Sequence, residues 1–119
     1  MDAEALRDFC LSLPYATESL PFDEETLCFK IADTKLFAIL PLDTPDRVNL
    51  KCDPERAIEL RERYSAIFPG FHMNKKHWNT VIFNNDLDDA LLLDLVRHSY
   101  DLVWKSLTKK MRNELCELE

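Results

Sequence analysis

The stretch Thr26-Leu-Cys-Phe-Lys-Ile-Ala-Asp-Thr-Lys-Leu-Phe-Ala-Ile-Leu40 decides the fold class. Leu27, Phe29 and Ile31 alternate with Cys28 and Lys30, the period of two that a strand imposes on side-chain direction. After Asp33-Thr34 the pattern resumes, with Leu36, Ala38 and Leu40 opposing Phe37 and Ile39. Two short runs joined by a polar dipeptide predict an antiparallel hairpin, with strands over 26–32 and 35–40. Because both faces of the second run are apolar, it is expected to be a central strand.

Outward from the hairpin, Pro41 and Pro45 bracket a turn, and Arg47-Val-Asn-Leu-Lys-Cys52 alternates again. Val48, Leu50 and Cys52 point inward, so Arg47, Asn49 and Lys51 share the opposite face. Asp53-Pro54 is a strong helix start, since aspartate accepts from free first-turn amides and proline tolerates the first helical position. That helix is expected to run to about Tyr64 and to bury Ala57, Ile58, Leu60 and Tyr64. Residues 68–76 read as a loop turning at Pro69-Gly70, and Trp78 to Phe83 as a fourth strand with Trp78, Thr80 and Ile82 on one face.

Toward the N-terminus, Asp2 caps a helix whose apolar residues Leu6, Phe9, Cys10 and Leu13 keep helical spacing until Pro14. Residues 15–25 read as an irregular acidic connection with a short extended piece around Leu20 and Phe22. After a turn at Asn84-Asn85, a helix capped at Asp86 carries Leu92, Val96, Ser99, Val103, Leu107 and Met111 in phase. Residues 87–115 form one long helix or two sharing that stripe. The order α, three strands, α, strand, α predicts an α+β fold, a single domain over 1–119 with an antiparallel sheet and helices packed on one side.

Composition narrows the function. The chain has 119 residues and 46% apolar content, enough for one core without disulfides or metals. No run of eighteen apolar residues occurs and the N-terminal stretch has no basic-then-apolar pattern, so a soluble cytoplasmic protein with no membrane partner is expected. Cys10, Cys28, Cys52 and Cys116 lie far apart, and reduced thiols are expected. A single glycine excludes the glycine-rich loops that cradle nucleotides. His72 and His77 do not repeat on a helix face, and the acids Asp23-Glu24-Glu25 are contiguous; neither metal site, cofactor nor enzyme activity is expected. The one pairing with nucleophilic character sets Cys52 beside His72 or His77.

The net charge of −7 disfavours a protein that coats DNA with its whole surface. The charge is segregated, however. Positions 70–85 hold Lys75 and Lys76 with no acid, and positions 102–113 hold Lys105, Lys109, Lys110 and Arg112 with no acid. Arg47, Asn49 and Lys51 on a strand face, with His72, Asn74, Lys75, Lys76, His77 and Trp78 after the turn, form the candidate nucleic-acid site. Lysine neutralises phosphate, asparagine bonds base edges, and tryptophan or histidine stacks on exposed bases. Against this stands a plainer reading, in which Trp78 fills the core, Asn74 and Asn79 cap turns, and the lysines are solvated.

The chain also resembles the MmcQ/YjbR family across roughly residues 3–107. The resemblance rests on Leu13-Pro14, Thr17-Glu18, Pro21-Phe22, Val48-Asn-Leu-Lys51 with Asp53-Pro54, Pro69-Gly70, His72-Met-Asn-Lys-Lys-His-Trp78 with Val81, and Ser99-Tyr100 before Leu102-Val103. It implies a fold like that of type III secretion chaperones, also described as a double wing, and a DNA-binding role through Asn49, Lys51, Pro69, Gly70, His72, Asn74, Lys76, His77 and Trp78. The alternative expectation is a protein-interaction adaptor, in which the sheet or a stripe of Lys105, Lys109 and Arg112 holds an acidic partner or a second copy of the chain. Monomer and homodimer stay equally open.

Overall fold

A computed structural model describes residues 1–70 and 73–117. Its elements in chain order are α1 (Ala3–Ser12), β1 (Ala16–Ser19), β2 (Thr26–Ile31), β3 (Lys35–Pro41), β4 (Arg47–Lys51), α2 (Pro54–Arg63), β5 (Ile67–Pro69), β6 (Trp78–Ile82), α3 (Asp89–Ser106) and α4 (Lys109–Glu117). The six strands form one antiparallel sheet in the order β1-β2-β3-β4-β6-β5. The α+β class and the helix-on-one-side arrangement are as the patterning predicts.

Cross-strand pairing sorts the side chains. Phe29, Ala38, Leu50 and Asn79 stand in register on one face, and Cys28, Ile39, Asn49, Thr80 and Phe68 on the other. Helix α3 packs on β2, β3 and β4, and α1 on β1 and β3. Leu6 and Cys10 of α1, with Leu92, Val96 and Val103 of α3, join Phe29, Phe37, Leu50 and Val81 in one core cluster. The other face carries no helix among the described residues.

Several boundaries depart from the periodicity. The hairpin turn sits one residue earlier than predicted: Ala32 and Asp33 both hold positive φ (47° and 57°), and the Thr34 amide donates to the Ile31 carbonyl at 2.9 Å. Two successive left-handed residues match the twist of the flanking strands, and a register shift at Phe29/Lys30 absorbs the change. The acidic connection contains a real strand, β1, just before Leu20 and Phe22. Part of the predicted 68–76 loop is the short edge strand β5. Both were obscured because edge strands this short carry too few alternations to read. Ile58 is 54% exposed instead of buried, since α2 turns only the Ala57–Leu60 stripe inward.

The C-terminal stripe belongs to two helices. Asp88, not Asp86, caps α3, its Oδ1 accepting from the Leu91 amide at 2.8 Å. Asp86 instead accepts from the amides of Ser65 and Ala66, which pins the α2–β5 turn and holds its carboxyl below the usual range. Leu107 is extended, and Thr108 Oγ1 accepts from the Met111 amide at 3.1 Å, so a second N-cap starts α4.

One interaction organises the middle of the sheet. Strands β3 and β4 pair at Ala38–Leu50 and Ile39–Asn49. At the next position the buried Ser99 hydroxyl of α3 stands between them, donating to the Phe37 carbonyl and accepting from the Lys51 amide at 2.9 Å. A helix side chain thereby satisfies two ladder groups that the strands leave apart.

Candidate nucleic-acid interface

Three elements meet at one end of the sheet, and they bring together only part of the predicted set. Lys51 ends β4 opposite Trp78 of β6, and the Cys52 amide donates to the His77 carbonyl at 2.7 Å. Between β5 and β6, Asn74 builds the turn: its Oδ1 accepts from the Lys76 amide at 3.0 Å, and its carbonyl accepts from the amides of His77 and Trp78. Asn74 is thus a turn-former, as asparagine's short amide favours. Lys75 and Lys76 are exposed on this turn, while His77 is half-buried. His72 lies outside the described residues.

The turn is braced from behind by a residue that sequence reading passed over. Arg61, in the last turns of α2, donates Nε to Asn79 Oδ1 at 2.7 Å and Nη2 to the carbonyls of Lys75 and Trp78. A guanidinium presents donors in a fixed fork, so one side chain ties the helix, the turn and β6 together. The signal was only the polar Arg61 on an otherwise alternating helix face, with Asn79 at an inward strand position. Neither points to the other without the topology.

Gly70 has a reason other than turning. Its φ is not positive; a Cβ there would lie 3.3 Å from Trp78 Cβ and 3.5 Å from the Trp78 carbonyl oxygen, so the missing side chain lets the chain pass close to β6. The left-handed positions fall instead on Tyr15, Ala32, Asp33 and Asn84. Trp78 is 9% exposed and lies outside the main core cluster, with little ring surface for a base.

The rest of the predicted strand face is differently employed. Arg47 pairs with Asp46, Nε to Oδ1 at 2.8 Å, which raises the guanidinium pKa and lowers that of the carboxyl. Asn49 Oδ1 accepts from the Thr80 hydroxyl across the strands. Both belong to a second feature, a groove of about 670 Å³ on the helix-free face. Its floor is Leu36, Ile39, Asn49, Phe68 and Thr80, and the connections bearing Phe22, Asp43 and Met73 wall it. Arg47 lies too near Asp46 to act as an uncompensated cation.

Two further candidates take their surroundings from the fold. Cys52 is 4% exposed, and burial pushes its thiol up to about 11, the reverse of an activated nucleophile. The basic stripe spans two helices: Lys105 is in the last turn of α3, Lys109 begins α4, and Arg112 is half-buried with its Nε unpartnered among the described residues.

Comparison with known proteins places this architecture. The YjbR family model matches residues 11–102. The chain is 35% identical over 114 residues to the Escherichia coli O157:H7 protein named Uncharacterized protein YbdF, covering 92% of this chain and 93% of that one. It is 30% identical over 118 residues to Uncharacterized protein YjbR of Escherichia coli strain K12, covering 99% and 100%. A crystal structure of Deinococcus radiodurans protein DR2400, with a DUF419 domain, superposes with TM-score 0.86 at 42% identity, over 94% of this chain and 86% of that one. With its fold, its ordered motifs and these relatives in agreement, the chain belongs to the YjbR family.

Proposed function

We infer that the protein is a DNA-binding module of small footprint, in which the Asn74–His77 turn and the Lys51 end of β4 contact phosphates. The observation that carries this reading is the brace: Arg61 grips the turn through backbone carbonyls and Asn79, while Lys75 and Lys76 are exposed on it. A turn held by its backbone presents its cations with little ordering cost on binding. Segment 70–85 holds two lysines and no acid, so the rest of the chain carries −9 of the net −7, which turns a polyanion toward that end.

Phosphate contact by Lys51, Lys75 and Lys76 is largely independent of base sequence, because the buried Trp78 and the turn-bound Asn74 have little left to offer base edges. Three neutralised phosphates give a slope of about −2.7 in log affinity against log salt on duplex DNA. Titration of labelled duplex at two salt concentrations tests it, with a Lys51→Ala/Lys76→Ala variant in parallel. The variant should keep its unfolding midpoint and flatten the slope by about 1.8. Salt-insensitive binding, or none at low salt, overturns the proposal.

A different observation, the groove on the helix-free face, favours an adaptor role.

A further inference from the structure

The groove reaches the β5–β6 connection that carries the cationic turn, since Met73 lines it, and the other connections around it carry carboxylates. Asp43 lines the groove; Asp23 bonds the lining Thr26 hydroxyl at 3.2 Å; Asp46 pairs with the lining Arg47. Asp46 and Arg47 offset each other, and Asp23 with Asp43 outweigh Lys30, which stands opposite the lining Leu36, leaving a net charge of −1 around a floor that is apolar apart from Asn49 and Thr80. At about 670 Å³ the groove is in the range of roughly 300–1,000 Å³ typical of ligand sites.

The apolar surface does not stop at the groove. Leu20, Phe22 and Leu42 are 47%, 75% and 41% exposed, and they sit in the two connections, β1–β2 and β3–β4, that wall it. Exposed large apolar side chains gathered beside an apolar floor mark a contact surface longer than the cavity. A small molecule fills the cavity and leaves that strip uncovered. An extended segment with apolar side chains covers both.

We propose that this groove binds a basic, apolar-rich peptide segment of a partner protein, its apolar side chains seated on Leu36, Ile39 and Phe68 and its Lys or Arg groups set against Asp23 and Asp43. The central Asn49 amide, with its oxygen already taken by Thr80, is left to donate to a peptide carbonyl. A like-charged second copy of this acidic chain is the poorer fit. This proposal uses none of the lysines of the DNA reading, although Met73 of the groove adjoins their turn.

The test uses the full chain, isotopically labelled, with two fluorescent decapeptides of alternating residues: Lys/Leu and Glu/Leu. The Lys/Leu peptide is expected to shift the amide resonances of Leu36, Ile39, Asn49 and Thr80 and to bind at least tenfold more tightly than the Glu/Leu peptide. Asp43→Asn should weaken it about fivefold at low salt, equivalent to roughly 1 kcal/mol. Phe22→Ser, at an exposed position, should weaken it without altering the unfolding midpoint. Equal affinity for both peptides, shifts confined to the Lys51–His77 end, or sedimentation as a dimer that Phe22→Ser dissociates would each overturn the proposal.

Discussion

The two faces of the sheet share strands and differ in what their side chains do. On the helix-covered face Phe29, Ala38 and Leu50 stand in register and are closed over by α1 and α3. On the other, Ile39, Asn49 and Thr80 stand in register beneath connections rather than helices. The first face is a core, where burial and close packing set stability. The second is a mixed apolar and polar floor that a solvated surface does not require.

A paired truncation breaks or sharpens that contrast most strongly. Phe37 is fully buried and meets the Tyr100 ring edge-on at 5.4 Å, so Phe37→Ala should cost about 3–5 kcal/mol. Its neighbour Leu36 lines the groove, and Leu36→Ala should stay within about 1 kcal/mol. Urea unfolding of both variants decides the matter: equal losses would mean that the groove face is as closed as the core.

Ser99→Ala comes next, at about 2–3 kcal/mol, because it leaves the Phe37 carbonyl and the Lys51 amide without their shared hydroxyl. Faster exchange of the Lys51 amide should accompany the loss. A cost below about 1 kcal/mol would show the strands zipping directly together.

The smallest effect concerns pH on the covered side. His98 Nε2 accepts from the Asp53 amide at 3.2 Å at the start of α2. Burial, then Arg56, lowers its pKa below the ordinary 6.5, with Asp53, Asp94 and Asp101 opposing. The unfolded chain thus takes up the proton first. Stability is full above pH 6.5 and declines as pH falls from there toward the lower folded pKa, where the decline ends. His98→Gln keeps an acceptor without the titration, and its unfolding midpoint should be flatter across that window. An unchanged pH profile would contradict the assignment.

Much of this architecture was legible because it rests on repeated local signals. The alternation in 26–40 and 47–52, and the capping residues Asp2 and Asp53, identify elements that burial then stabilises. What escaped were features that depend on distant partners. Asp86 reads as a cap but is drawn away by Ser65 and Ala66; Arg61 is an ordinary helix cation until the fold brings Asn79 and Lys75 against it. The candidate site followed the same rule. Residue type located the Lys75-Lys76 turn, whereas Arg47 and Asn49 changed meaning once Asp46 and Thr80 were seen beside them.

The Ser99 bridge has a mechanical corollary. Ordinary sheets carry torque from strand to strand through an unbroken ladder, but β3 and β4 are stitched by two residue pairs and one hydroxyl. Along that line the sheet divides into two panels of three strands each. The floor of the groove takes Leu36 and Ile39 from one panel and Asn49, Thr80 and Phe68 from the other, so the groove straddles the Ser99 seam.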